Sequence, residues 1–371
     1  MKKISPSVIL LALLGAALAV PARADTEPKY DHYLRSTSKT VNWGVYSAEY
    51  APAITIKSGD ILKIDTVNSM GVNRANPRKF FTDNNIPMDL PVVQQIIDVC
   101  ENTPLHPLGL RGALLTGPVY VEGAEPGDTL EVRVHDVRFR INYGVNSTSP
   151  GAGHPLADLV PRPWTHKFDL DLERGVALFK PGAIELPLAP FFGQMGTAPP
   201  PSSGAMGAGP PTPLFGGNFD LQELSRGGTV FLPVNVPGAK FFCGNGHALQ
   251  GNGEITNPSL EVNLTGYLQF IVHKGKPLKM SRVETPTHYI FLGMHNSLDD
   301  GMQQATKQVV EFLQEKEGLD FYDAYAVASL TTDFTVARAL VPAQMVYASV
   351  PKSIFKSNPD YWYHGPVPPK F

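Results

Sequence analysis

"VYVEGAEPGDTLEVRVHDV" runs from Val119 to Val137. In its second half the apolar residues Leu130, Val132 and Val134 alternate with Glu131, Arg133 and His135. That is the period of a strand with one face buried. Val119–Glu122 reads as another strand, and Pro126-Gly127-Asp128 between the two is turn chemistry. The same arrangement recurs outward from here. Ala53–Thr66 (AITIKSGDILKIDT) holds two short runs around Gly59-Asp60, and Gly227-Gly228 precedes the strand-like Thr229–Val234. An internal repeat and turn chemistry recurring in an all-β protein explain the three echoes equally well. With 35 prolines and 34 glycines breaking the chain into short runs, the fold reads as mainly β.

The final quarter changes character. Leu298, Met302, Ala305, Val309, Phe312 and Leu313 fall at helical spacing, so Ser297 to Glu317 is expected to be a helix. Ser297 or Asp299 can cap its start, and Gly318 sits where a C-terminal glycine belongs. Asp320 can cap a second helix over Phe321–Leu330, and a strand-like Phe334–Val341 follows. The expected organisation is a leader at 1–24, a mainly β core at 25–284 and an α+β part at 285–371. Asn146–Pro163 and Pro187–Gly217 read as long loops, with 198–213 a flexible insertion on composition.

The leader follows from Lys2 and Lys3, the uncharged apolar run Val8–Val20, Pro21, and small residues at Ala22 and Ala24. This is the pattern of a secretory signal peptide cleaved after Ala24, and the run is too short for a comfortable membrane span. The protein is therefore expected to be exported, periplasmic or secreted, with no stable membrane insertion. The formal net charge is −3, and no basic stripe argues for a nucleic-acid partner. The two cysteines, Cys100 and Cys243, could bridge in an oxidising compartment or stay free thiols. They do not make a disulfide scaffold.

One segment demands more than a turn. "CGNGHALQGNGEIT", from Cys243 to Thr256, crowds four glycines around His247, Gln250 and Glu254. It lacks the lysine of a phosphate loop, and a GxGxxG match is absent. The glycine spacing suits a folded-back loop whose backbone approaches something closely. His247 offers a base or metal ligand and Glu254 a general base. Gly216-Gly217-Asn218-Phe219-Asp220 precedes the strand that leads into this loop, so Asp220 can come near. A histidine, two carboxylates and side-chain amides are the parts of a hydrolytic metal site.

Several blocks resemble the acetamidase/formamidase family: LTGPVYVEGAEPGDTLEVRV (Leu115–Val134), PLAPFFGQMGTAP (Pro187–Pro199), GGNFD (Gly216–Asp220) and GGTVFLPVNVPGAKFFCGNGHALQGNGE (Gly227–Glu254). ETPTHYI (Glu284–Ile290), DAYAVASLTTDF (Asp323–Phe334) and VPKSIF (Val350–Phe355) continue in the family's order. The resemblance implies hydrolysis of small linear amides such as formamide or acetamide to a carboxylic acid and ammonia. It also implies a homo-oligomer with a β-sandwich or barrel-like architecture and a small C-terminal α+β unit. It places His247, Gln250, Glu254, Asn218 and Asp220 at the site, with Glu122 contributed by the VEGAEPGD block. Asn245 and Asn252 stand where the family pattern has aspartates, and Ala113 where some relatives resemble a histidine.

The expected chemistry is a water activated by a divalent metal on His247 and Asp220, with Asn245 or Gln250 assisting. Glu254 or Glu122 would carry the proton to nitrogen, while Asn218 and Asn245 bind substrate. Zinc suits the nitrogen and oxygen donors first, with calcium or manganese as alternatives. One rival makes Cys243 the nucleophile and His247 its base. Another keeps the pocket but removes turnover, leaving a periplasmic binding protein or an inactive relative.

Overall fold

The computed structural model describes residues 26–356, apart from 110, 111, 181, 210 and 343. The leader expected at 1–24 lies outside the described residues. Two large sheets dominate, of nine and eleven strands, and Met206–Gly207 pairs with Val45–Tyr46 as a small third one. The nine-stranded sheet places Thr129–Phe139 between Leu264–His273 and Thr229–Pro233. The eleven-stranded sheet is built around Phe241–Leu249, which pairs with Phe191–Gly196, Leu115–Val121 and Leu260–Glu261.

The period-two pattern decides which faces meet. Leu130, Val132 and Val134 share one buried core with Leu62 and Ile64 of their own sheet and Val119, Val121, Phe192 and Phe241 of the other. Phe241 and Phe270 join the layers edge to face, with ring centroids 5.1 Å apart. Each such fully buried side chain contributes about 1.5–3 kcal/mol, so the interior between the sheets fixes the fold.

The echoed turns have a different role from the hairpins that their sequences suggest. Ile54–Ile56 pairs in the eleven-stranded sheet and Ile61–Asp65 in the nine-stranded one. Leu115–Val121 and Thr129–Phe139 are split in the same way. Each turn carries the chain from one layer to the other. Asp60 accepts the backbone N–H of Lys57 and Asp128 that of Glu125, both at 2.8 Å. The recurring Gly-Asp is thus one turn device used twice.

Two helices were not legible beforehand. α1 (Pro77–Asp83) and α2 (Pro91–Asn102) each begin with proline in the first turn, where its missing N–H costs nothing. α2 buries Val92, Val93, Ile96, Ile97, Val99 and Cys100. α3 (Leu298–Glu317) is capped by Ser297, whose hydroxyl accepts the Asp300 N–H at 3.3 Å, and ends at Gly318 with φ +68°. α4 (Phe321–Thr331) is capped by Asp320. α3 packs on His288–His295 and Gln344–Pro351, strands that extend the nine-stranded sheet rather than forming one of their own. Asp333–Arg338 closes that sheet's edge.

Pro187–Gly217 is not a continuous loop. Its Phe191–Gly196 is a wholly buried strand, and Ala198 and Ala208 pack with Tyr46 and Phe215. The prolines and glycines around it hid a core strand. Cys100 and Cys243 are both free and buried.

Candidate functional site

His247 belongs to the strand Phe241–Leu249, not to a loop. Gly244 and Gly246 serve close approach rather than left-handed backbone. A Cβ at Gly244 would stand 2.0 Å from the Leu114 carbonyl oxygen, and one at Gly246 2.6 Å from that of Val262. Asn245 and His247, two residues apart, present their side chains together. The turn after the strand then brings Glu254 back, with Gly253 at φ +101° and bridged to Arg338.

Asp220, at φ +45°, follows the strand Gly216–Asn218. Asn245 and Glu254 also lie in the left-handed region, at +53° and +47°. Backbone strain of this kind, gathered at one point, marks functional sites. Asp220, His247 and Glu254 are buried, and one candidate ligand atom from each lies within 4.8 Å of the others.

The surroundings hold Asp220 firmly. Its Oδ2 accepts from Asn218 Nδ2 at 2.6 Å and from Arg338 Nε at 3.4 Å, and its Oδ1 from Asn245 Nδ2 at 3.3 Å. Gln250 Nε2 donates to the Asp220 carbonyl at 2.6 Å. Gln194 Nε2 donates to Asn218 Oδ1 at 2.6 Å, and Gln194 Oε1 accepts from Tyr46. Asn218 and Gln250 therefore orient Asp220. Asn245 keeps its Oδ1 for another donor.

Beside this firm frame, several buried atoms lack a hydrogen-bond partner among the described residues: both ring nitrogens of His247, Glu254 Oε2 and Gln250 Oε1. His247 Nε2 lies 3.1 Å from Glu261 Oε1 and 3.8 Å from Asp220 Oδ1, without the alignment of a hydrogen bond. Burial pushes the His247 pKa down, but the charges of Glu261 and Asp220 outweigh it, and the net shift is upward. Burial raises the Glu254 pKa well above the usual carboxylate value, and the charge of Asp220 adds to that while Arg338 opposes it. Three buried carboxylates, Asp220, Glu254 and Glu261, thus gather near His247 and Arg338.

Gly193 completes the cluster. A Cβ there would stand 2.5 Å from Asp220 Oδ1, 2.8 Å from Asn245 Nδ2 and 2.9 Å from His247 Cε1. Outside lies a cavity of about 630 Å³ reached by Glu254, Glu261, Arg338, Asn218, Asn245 and Gln194.

Glu122 is not part of this assembly. It is exposed in the turn after Leu115–Val121, seven residues on from Leu115, the partner of Gly244. That distance along a strand is roughly 20 Å. Asn252 is exposed, so its identity does not bear on the buried cluster, whereas Ala113 lines the cavity. Cys243 is packed in the core, and burial pushes its thiol pKa well up, which removes it as a nucleophile. Glu261, Arg338, Gln194 and Gly193 escaped the sequence reading. Glu261 is the cross-strand partner of His247, and Arg338 follows a shift in register after Val336, the kind of irregularity that re-aims a side chain.

The two packed sheets thus hold a buried imidazole, carboxylates and side-chain amides beneath an open cavity. Residues 203–357 match the model of the Acetamidase/Formamidase family. A "Putative formamidase" of Schizosaccharomyces pombe is 31% identical over 194 residues, which are 38% of this chain and 47% of that protein. An acetamidase of Mycolicibacterium smegmatis is 25% identical over 198 residues, 38% of this chain and 48% of its own length. The chain thus spans about half the length of these curated relatives. A predicted acetamidase/formamidase from Thermoanaerobacter tengcongensis superposes with a TM-score of 0.71 at 26% identity, covering 88% of this chain and 97% of the other. An acetamidase from Bacillus halodurans gives 0.71 at 27% identity, over 87% and 98%. Over these stretches and in its fold, the chain is similar to members of the acetamidase/formamidase family.

Proposed function

We propose that the protein hydrolyses small linear carboxamides to carboxylic acid and ammonia, with a divalent cation held by His247 and Asp220. The observation that carries this reading is the buried cluster itself. Asp220 and Glu254 lie 3.4 and 3.7 Å from the Arg338 guanidinium and Glu261 3.1 Å from the His247 ring, while His247 and Glu254 keep buried atoms without hydrogen-bond partners among the described residues. Buried polar atoms left without partners are expensive, and a divalent cation bound among them would engage those atoms. The donor set suits zinc first, with calcium or manganese as alternatives. When bound, the ion would acidify a water and polarise the amide carbonyl.

The remaining work falls to side chains of this chain. Glu261 steadies the His247 ring across the strand pair, as outer carboxylates do for ligating histidines. Asn218, Gln250 and Arg338 fix Asp220. Asn245 Oδ1 can accept a hydrogen from the substrate NH2. Glu254, whose pKa burial raises, holds the proton that the leaving nitrogen needs. The leader pattern supports export, and N-terminal sequencing of protein recovered from outside the cytoplasm should begin at Asp25. An intact Met1 there overturns export.

The functional reading is tested by ammonia release from short amides, measured before and after chelation and after metal is restored. Turnover that disappears and returns supports it. Turnover indifferent to chelation, with no metal in the protein, removes the cation, and no turnover of any amide removes the activity.

A further inference from the structure

We propose that the cavity over the buried cluster contains a second, polar subsite, and that the preferred substrates are primary amides with an uncharged hydroxyl- or carboxamide-bearing tail. This deepens the amidase reading above and rests on it. The cavity volume, about 630 Å³, lies in the range that accepts much bulkier ligands than formamide or acetamide. Either of those would leave most of the space to water. Small residues create the room. Ala113 and Gly209 both line the wall, and a Cβ added at Gly209 would meet nothing within 4 Å.

Hydrogen-bonding groups reach the same cavity from three separate segments. Ser69 lines it, and its hydroxyl has no hydrogen-bond partner among the described residues. The hydroxyl of Ser147, near the end of the strand Tyr143–Thr148, donates to the Met70 thioether at 3.3 Å, a weak acceptor. Asn257 commits Nδ2 to the Ala152 carbonyl at 2.9 Å and leaves Oδ1 for another donor. These are acceptors and rotatable donors of the kind that a hydroxyl or a second carboxamide would satisfy.

Charge limits the class further. The charged residues lining the cavity are Glu254, Glu261 and Arg338. A carboxylate tail would lie against Glu261, and an ammonium tail would enter beside Arg338 and the cation. A neutral polar tail meets neither opposition.

The test compares acetamide, butyramide, succinamide, succinamate and β-alaninamide on the wild type, Ala113→Phe and Gly209→Val. Ammonia release and calorimetric binding are both read. Succinamide should exceed acetamide and butyramide in kcat/KM by about tenfold or more, because a site built to hydrogen-bond discriminates against analogues that lack the group. Both variants should lower the succinamide-to-acetamide ratio by about tenfold. Butyramide equal to succinamide, a charged amide outrunning it, or a ratio unchanged in both variants overturns the proposal. If no amide releases ammonia, binding decides. Succinamide binding that weakens in both variants upholds the subsite while the amidase reading falls, and absence of succinamide binding overturns both.

Discussion

Replacing Gly193 by alanine adds one methyl group at the point where three elements of the site converge. The new carbon would stand 2.5 Å from Asp220 Oδ1, 2.8 Å from Asn245 Nδ2 and 2.9 Å from His247 Cε1. Unstrained heavy-atom contacts lie near 3.5–4.0 Å, so Asp220 has to retreat by about 1 Å. It has little freedom to do so, being bonded to Asn218, Asn245 and Arg338. Overpacking of this kind costs about 1–3 kcal/mol, which lowers Tm by only a few degrees in a protein of this size. Misplacing a catalytic group by about 1 Å costs on the order of a hundredfold in rate. Gly193→Ala should therefore remain folded by circular dichroism, lose most of its kcat/KM in an ammonia-release assay, and bind metal less tightly. Gly251→Ala is the control, because a Cβ there meets nothing within 4 Å, and it should behave as wild type. A folded Gly193→Ala protein with undiminished kcat/KM would refute the placement of the reaction beside this glycine.

Glu254→Gln should keep its metal and lose about two to four orders of magnitude in turnover; loss of metal instead would make Glu254 a ligand. In metal-free protein the raised pKa of Glu254 means that the folded state holds its proton more tightly than the unfolded chain. Stability contributed by that proton is present at low pH and is lost as pH rises from the ordinary 4.5 through the raised value. Relative to Glu254→Gln, wild-type unfolding free energy should fall by about 1.4 kcal/mol per pH unit in that window, and denaturant titrations showing the opposite slope would contradict the buried carboxyl. Glu122→Ala should change neither turnover nor stability by more than about 0.5 kcal/mol, since the side chain is exposed and distant from the cluster; a large loss of kcat would place it back in the reaction.

What could be read from the sequence divides along physical lines. The strands with alternating faces, such as Thr129–Phe139, and the capped helix α3 were legible because period and caps are local signals. The strand Phe191–Gly196 was not, because its flanking prolines and glycines resemble loop composition while its burial depends on both sheets. The same division runs through the site. His247, Asp220, Asn245 and Glu254 stand in distinctive glycine-rich stretches, and the fold brings them together. Glu261 and Arg338 sit in ordinary strand sequence and reach the cluster only through cross-strand pairing and a shifted register. Glu122 shows the reverse error. Its motif is prominent because the turn carries the chain between layers, a structural demand rather than a chemical one.

His247 is the residue on which the proposed metal chemistry depends. The direct measurement is metal content and amide turnover in one preparation of purified His247→Ala, with folding verified by circular dichroism and thermal melting. His247→Ala should be a folded protein that has lost most of its divalent metal and, with it, its ammonia release. A folded, metal-replete His247→Ala protein with near-normal turnover would contradict it.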